Sequence, residues 1–175
     1  MRLWGFALNR AGVLGINERN AGYIMPLNPR RLYPRVDDKV CTKALAREAG
    51  MAVPELYFVA RSQADALRLP DALSAHASFV VKPAKGSGGD GILVVDGRYG
   101  EHYRLISGDL MSETALLHHV SNIVSGQYSL TGGADSALVE YRVQFDQVFD
   151  AISFQGVPDV RIIVYRGYPA MAMVR

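Results

Sequence analysis

Between Phe79 and Val95 the chain reads FVVKPAKGSGGDGILVV, two β-rich apolar runs on either side of a loop. Five of the six residues from Gly86 to Gly91 are glycine or serine, broken only by Asp90. The runs Phe79–Lys82 and Ile92–Val95 predict two strands joined by a flexible hairpin. Ordering so many glycines costs chain entropy, which points to a ligand that orders them. Without side chains, backbone N–H groups can approach phosphate oxygens closely. Lys82, at the end of the incoming run, supplies a mobile positive charge for the same oxygens. A plain glycine hairpin with a lysine at its edge is the alternative.

Other glycine loops fit less well. The spacing Gly86-x-Gly88-x-x-Gly91 matches the dinucleotide fingerprint in letters. That fingerprint needs a helix after the glycines, because the helix N-terminus holds the pyrophosphate. Here the apolar run ILVV follows, so a dinucleotide-dependent oxidoreductase is disfavoured. No Gly-Lys-Ser/Thr closes the loop as in a P-loop. A kinase glycine loop lies between two strands, but its lysine comes on a later strand, whereas Lys82 precedes the glycines.

Composition bounds the rest. A chain of 175 residues, 49% of them hydrophobic, can bury one core, whole or split between two small lobes. The net charge of +2, from 19 basic and 17 acidic residues, gives no argument for nucleic acid or an anionic membrane. Arg30, Arg31 and Arg35 read as a solvated basic loop. A single cysteine, Cys41, excludes an internal disulfide, and a packed thiol is expected there. No apolar stretch of about 18 residues occurs, and the first residues lack a signal-peptide plan. The expectation is a cytoplasmic protein.

The segment YIMPLNPRRLYPR carries three prolines and is expected to be irregular. DDKVCTKALAREAG predicts a helix capped by Asp37 or Asp38, with Val40, Ala44 and Leu45 on its apolar face and Gly50 past its end. VPELYFVA reads as a short buried strand. A short helix opened by Ser62 and Asp65 should precede Pro70. Asp96-Gly97 favours a hairpin turn, with Tyr103–Ile106 as a further strand. SETALLHHVSNIVSG is the best helix: Ser112 caps it, Leu116, Leu117, Val120, Ile123 and Val124 form one stripe, and Gly126 ends it. ALVEYRV reads as a strand, and VRIIVYRGYPAMAMV as two strands about Gly167. His118 and His119 are adjacent on a helix and face apart, which argues against one metal site there.

Taken in order, DDKVCTK, FVVKPAKGSGGDGILVV, LVEYRV and PDVRIIVYRGYPAMAMVR resemble the ATP-grasp superfamily, within it the alpha-L-glutamate ligase-like, ribosomal-protein-modifying branch. The resemblance covers residues 36–175. It implies an α+β ATP-grasp fold: an N-terminal region over 1–75, a lid subdomain over 76–143, and the start of an antiparallel-sheet lobe over 144–175. It implies that Lys39 and Lys82 contact phosphates and that Gly86, Ser87, Gly88, Gly89 and Gly91 form the lid over them. Glu140, Tyr141 and Val143 match the hinge, where the backbone of Glu140 and Val143 would read adenine. Asp146 loosely matches the acid that reaches the ribose. Arg161 resembles the arginine that stabilises the transferred phosphate.

Each assignment has a plainer alternative. Lys39 lies one helical turn from Lys43 and suits a surface lysine. Glu140 suits a charge at a strand edge, and Asp159 and Arg161 suit a simple pair on one strand face. The family holds magnesium with an acid on a later strand and a Glu-x-Asn pair beyond it. No Glu-x-Asn follows the hinge here, so those ligands are expected beyond residue 175 and the chain reads as truncated. Asp146, Asp150 and Asp159 are the acids left near the hinge or Arg161. The resemblance thus implies an ATP-dependent carboxylate–amine ligase, with ATP, magnesium, and a small carboxylate, amino acid, peptide or protein acceptor as partners. A non-catalytic ATP-binding module is the alternative.

Overall fold

The antiparallel pairing of two buried runs organises the fold. The structure, a computed structural model, describes residues 8, 10–129, 132–146, 148 and 159–174. Asp150 lies outside the described residues. The chain divides into two compact units, one of Pro34–Gln144 and one of Met1–Tyr33 with Phe145–Arg175.

The first of these units is built on a sheet of strands β1 (Leu56–Ala60), β2 (Phe79–Pro83), β3 (Leu93–Tyr99), β4 (His102–Leu105), β5 (Leu110–Met111) and β6 (Ala137–Glu140). Their spatial order is β1-β6-β2-β3-β4-β5, and every pairing is antiparallel. Two longer helices accompany it, α1 (Lys39–Glu48) and α2 (Glu113–Val124). Single helical turns occupy Pro34–Asp37, Gln63–Ala66 and Leu69–Ala72. The glycine run does connect two antiparallel strands, β2 and β3.

Side chains alternate across each strand, so one face of β2 and β6 carries Phe79, Val81, Ala137 and Val139. These join Leu116, Val120, Ile123 and Val124 of α2, together with Ala60, Leu69, Leu73, Val95 and Tyr103, in one core. Phe79 meets the Tyr103 ring edge-on at 5.6 Å. The α2 stripe is thus buried as its spacing required, except that Leu117 is only partly buried at the edge of the core. The Ser112 hydroxyl caps α2 by accepting from Ala115 N–H, and Gly126 ends it at φ +91°.

Four expectations are corrected. Asp96 and Gly97 do not turn; they lie within β3, where the register shifts between Val95 and Gly97. The turn comes later, at Gly100 with φ +58°. Asp96 is held in the strand by Arg104 and Arg142, which pair with its two carboxylate oxygens. The apolar face expected of α1 is not its buried face: Ala44 and Leu45 are exposed, and the buried residue is Lys43. Cys41 is exposed rather than packed. The proline-rich segment is mostly helical, with Asn20–Ile24, Met25–Leu27, Arg30–Leu32 and Pro34–Asp37 as short turns; Pro29 stands just before the third and Pro34 opens the fourth, where a missing N–H leaves no intrahelical bond unmade. Pro70 is accommodated likewise, inside the turn Leu69–Ala72.

In the other unit, β7 (Val160–Tyr165) and β8 (Tyr168–Val174) form an antiparallel hairpin. Its turn residues Arg166 and Gly167 both have positive φ, the conformation that matches a two-residue hairpin to strand twist.

The α2 terminus gives a stability prediction. A Cβ on Gly126 would run into the carbonyl of Gly133, which is backbone and cannot rotate away, whereas one on Gly100 meets open space. Both have positive φ. Gly126→Ala should therefore cost about 2–4 kcal/mol and Gly100→Ala about 1 kcal/mol, read from urea denaturation midpoints.

Candidate functional site

The register of β2 against β6 places Lys82 opposite Leu138 and Val80 opposite Glu140. Lys82 and Glu140 are therefore diagonal neighbours on the face turned away from the α2 core, within reach of long side chains. Lys82 Nζ lies 2.6 Å from Glu140 Oε1. The other oxygen, Glu140 Oε2, is 2.7 Å from Lys43 Nζ of α1. Glu140 is thus a buried carboxylate held between two ammonium groups, not a charge at a strand edge.

Lys39 is the first residue of α1, and the Asp38 carboxylate caps that helix by accepting from the Val40 and Cys41 N–H groups. The cap fixes where Lys39 points. Its backbone N–H donates to Ala84 O at 3.0 Å. Its Nζ donates to Gly86 O at 2.7 Å and to Ala84 O at 3.2 Å. The lysine that suited a solvated surface instead grips the start of the glycine loop. Burial lowers the Lys39 ammonium from its ordinary value, and Lys82 pushes the same way, while the Asp135, Asp38 and Glu140 carboxylates oppose the shift. Lys39 and Lys82 thus stand near one another beside the loop, and burial makes the charged form of Lys39 costly.

Both ends of the loop are fastened. At its entry the buried Asp135 carboxylate accepts from Lys85 N–H, at 3.1 and 3.0 Å to its two oxygens, and from Ser136 N–H at 2.7 Å. Gly86 packs so tightly on Pro83 that an added Cβ would lie 2.5 Å from its ring carbon. At the exit, His119 Nε2 lies 3.0 Å from Gly91 O, and the Tyr128 ring leaves no room for a Cβ on Gly91. Between these clamps Gly88 and Gly89 have positive φ and open space around them. Ser87, Asp90, Gly91, Gln127 and Tyr128 line a cavity of about 320 Å³ beside the loop.

Past β6, the Tyr141 N–H donates to Glu55 O at 2.8 Å, which carries the sheet pairing one residue beyond the strand. Tyr141 and Val143 are exposed and line a mostly apolar cavity of about 510 Å³ with Ala52, Val53, Pro54 and Glu55. Arg142 reaches across the start of β2 to Asp96 on β3. Burial alone would raise the Asp96 carboxyl, but Arg142 and then Arg104 overcome this and hold it below its ordinary value.

The structure therefore brings Lys39, Lys82, the loop from Gly86 to Gly91, and Glu140 into one region, with Tyr141 and Val143 just past it. Asp146 and Arg161 belong to the other unit. There Asp146 accepts from Val148 N–H at 3.0 Å, and Arg161 Nε donates to Asp159 at 2.9 Å. Lys43 and Asp135 are missing from the sequence-based set. The only signal for Lys43 was its place one helical turn after Lys39, and nothing marked Asp135 out from other loop aspartates.

Among the described residues no three His, Cys, Asp or Glu side chains converge as a metal site. Glu140 is committed to two lysines and Asp135 to backbone N–H groups, so neither offers the free oxygens that magnesium takes. As they are paired here, these two buried acids do not fit a magnesium site. A family model of sugar-transfer associated ATP-grasp proteins matches residues 18–175. No curated protein and no solved structure matches the chain.

The loop exit carries a pH prediction. Burial holds the His119 imidazole below the ordinary value of 6.5, with His118 adding to the effect and the Gly91 carbonyl opposing it. The unfolded chain thus binds a proton at a higher pH than the folded one, so stability is lost as pH falls below about 6.5. Glutamine can donate the same hydrogen bond without titrating. His119→Gln should show a shallower loss of thermal stability between about pH 7 and pH 5 than the parent, followed by circular dichroism.

Proposed function

The chain belongs to the sugar-transfer associated ATP-grasp family, and from that premise we propose that Lys39, Lys82 and the glycine loop hold the phosphates of ATP for transfer to a carboxylate. Family membership itself implies ATP binding and an ATP-dependent, ligase-type activity. The observation that carries the finer reading is the convergence of Lys39 Nζ on the loop carbonyls beside Lys82. Cations placed at the mouth of a fastened glycine loop suit an anion larger than one charge.

In this reading Lys82 leaves Glu140 for the phosphates, and the amides of Gly86, Ser87, Gly88, Gly89 and Gly91 close over them. The backbone at Glu140 and Val143 reads the adenine edge, with Tyr141 between them. A carboxylate oxygen of the acceptor attacks the terminal phosphorus, the bond to ADP breaks, and an acyl-phosphate forms. An amine then attacks the acyl carbon, phosphate leaves, and the nitrogen gives up a proton. For Asp146 and Arg161, which belong to the other unit, the roles at the ribose and the transferred phosphate rest on the resemblance alone. Positioning and charge neutralisation are what the protein contributes. Glutamate or another small carboxylate is the substrate class suggested by the resemblance. The family's association with sugar transfer allows a carboxylate or amine borne on a sugar.

Calorimetry with ATP and with NAD tests the nucleotide class. ATP should bind in preference, and Lys82→Ala should lose about 2–4 kcal/mol of that binding. Tight NAD binding without an ATP signal would reverse the reading. In the same preparation, hydroxylamine added with ATP and a panel of carboxylates should trap an acyl-phosphate as a hydroxamate. ATP binding without a trapped product from any carboxylate would favour a non-catalytic nucleotide-binding module.

A further inference from the structure

Lys43 has no part in the reading above, yet it is more enclosed than the lysine that does. Its side chain is 9% exposed, against 30% for Lys82, and the Glu140 side chain between them is 5% exposed. Lys43 Nζ also donates to Pro54 O at 2.6 Å. That carbonyl lies just before β1, so the ammonium is held from two sides. One cation on Glu140 is locked in place and the other is partly open to water.

A carboxylate this buried is costly to leave without a counter-charge. If Lys82 were its only partner, moving that ammonium to a phosphate would strand Glu140. Lys43 removes the obstacle, because it remains on Oε2 whichever way Lys82 points. We propose that Lys43 is a positioning residue for nucleotide binding: it keeps Glu140 paired so that Lys82 can exchange the carboxylate for phosphate. The inference rests on the reading of Lys82 as a phosphate ligand.

The charge count leads to the same role. Lys43, Lys82 and Glu140 together carry a net single positive charge. Without Lys43, Lys82 and Glu140 form a neutral pair, and phosphate must compete with a buried carboxylate for the one ammonium. Lys43 cannot itself replace Lys82 on phosphate, since its ammonium is enclosed and shared between Glu140 and the Pro54 carbonyl.

The test is a double-mutant cycle read by ATP calorimetry, with adenosine as a ligand that has no phosphate and thermal melts as a check on folding. Lys43→Met should weaken ATP at least about tenfold and leave adenosine unchanged. Lys43→Arg should recover most of the loss. In a Glu140→Gln background no carboxylate remains to be stranded, so adding Lys43→Met should cost little further ATP affinity. An equal loss for ATP and adenosine, or a loss that persists undiminished in the Glu140→Gln background, would overturn the proposal. So would ATP affinity unchanged in Lys43→Met. If Lys82→Ala itself leaves ATP affinity intact, the phosphate-ligand reading fails and this inference falls with it.

Discussion

A carboxylate removed from water has to be answered by positive charge, and the region around the glycine loop is arranged around that requirement at Glu140. The pairing of β2 with β6 puts Lys82 on one oxygen. The other oxygen draws in Lys43 and with it helix α1. Once α1 is docked, its capped first turn delivers Lys39 to the carbonyls of Ala84 and Gly86. A single buried charge thus links two strands, a helix and the mouth of the glycine loop. Such a link is a weak source of net stability, because desolvation offsets the attraction. Its effect is to fix where the remaining cations stand.

The loop between β2 and β3 shows how flexibility can be confined. Its ends are held by groups that have nothing to do with glycine's backbone freedom: the Asp135 carboxylate at one end, His119 and Tyr128 at the other. Gly86 and Gly91 are required because neighbours occupy the space a side chain would need. Gly88 and Gly89 have that space and are set apart by positive φ alone, whereas Gly91 combines positive φ with the crowding. A clamp at each end with an unobstructed middle confines the loop's freedom to Gly88 and Gly89.

Much of this was legible in the sequence because its signals are local. The α2 stripe, its Ser112 cap and Gly126 follow a helical period, and the strands around the glycines follow β-rich composition. Lys82 stood out by adjoining the loop. The fate of Lys43 was not legible, since its burial depends on a carboxylate 97 positions later in the chain that only the fold brings to it. Asp96-Gly97 failed for the same reason: its letters favour a turn, but two arginines on other strands or just past them hold the aspartate in β3. In each case the outcome was set by a charge pairing between residues far apart in sequence, from helix to strand for Lys43 and across the sheet for Asp96.

The central claim is that the clamped loop closes over phosphates held by Lys39 and Lys82. Hydrogen exchange across Lys85–Gly91 with ATP, with adenosine and with neither tests it most directly. The account predicts that amide exchange in this segment slows with ATP alone, because only the phosphates reach the loop. Exchange that is unchanged by ATP, or slowed as much by adenosine, would contradict it.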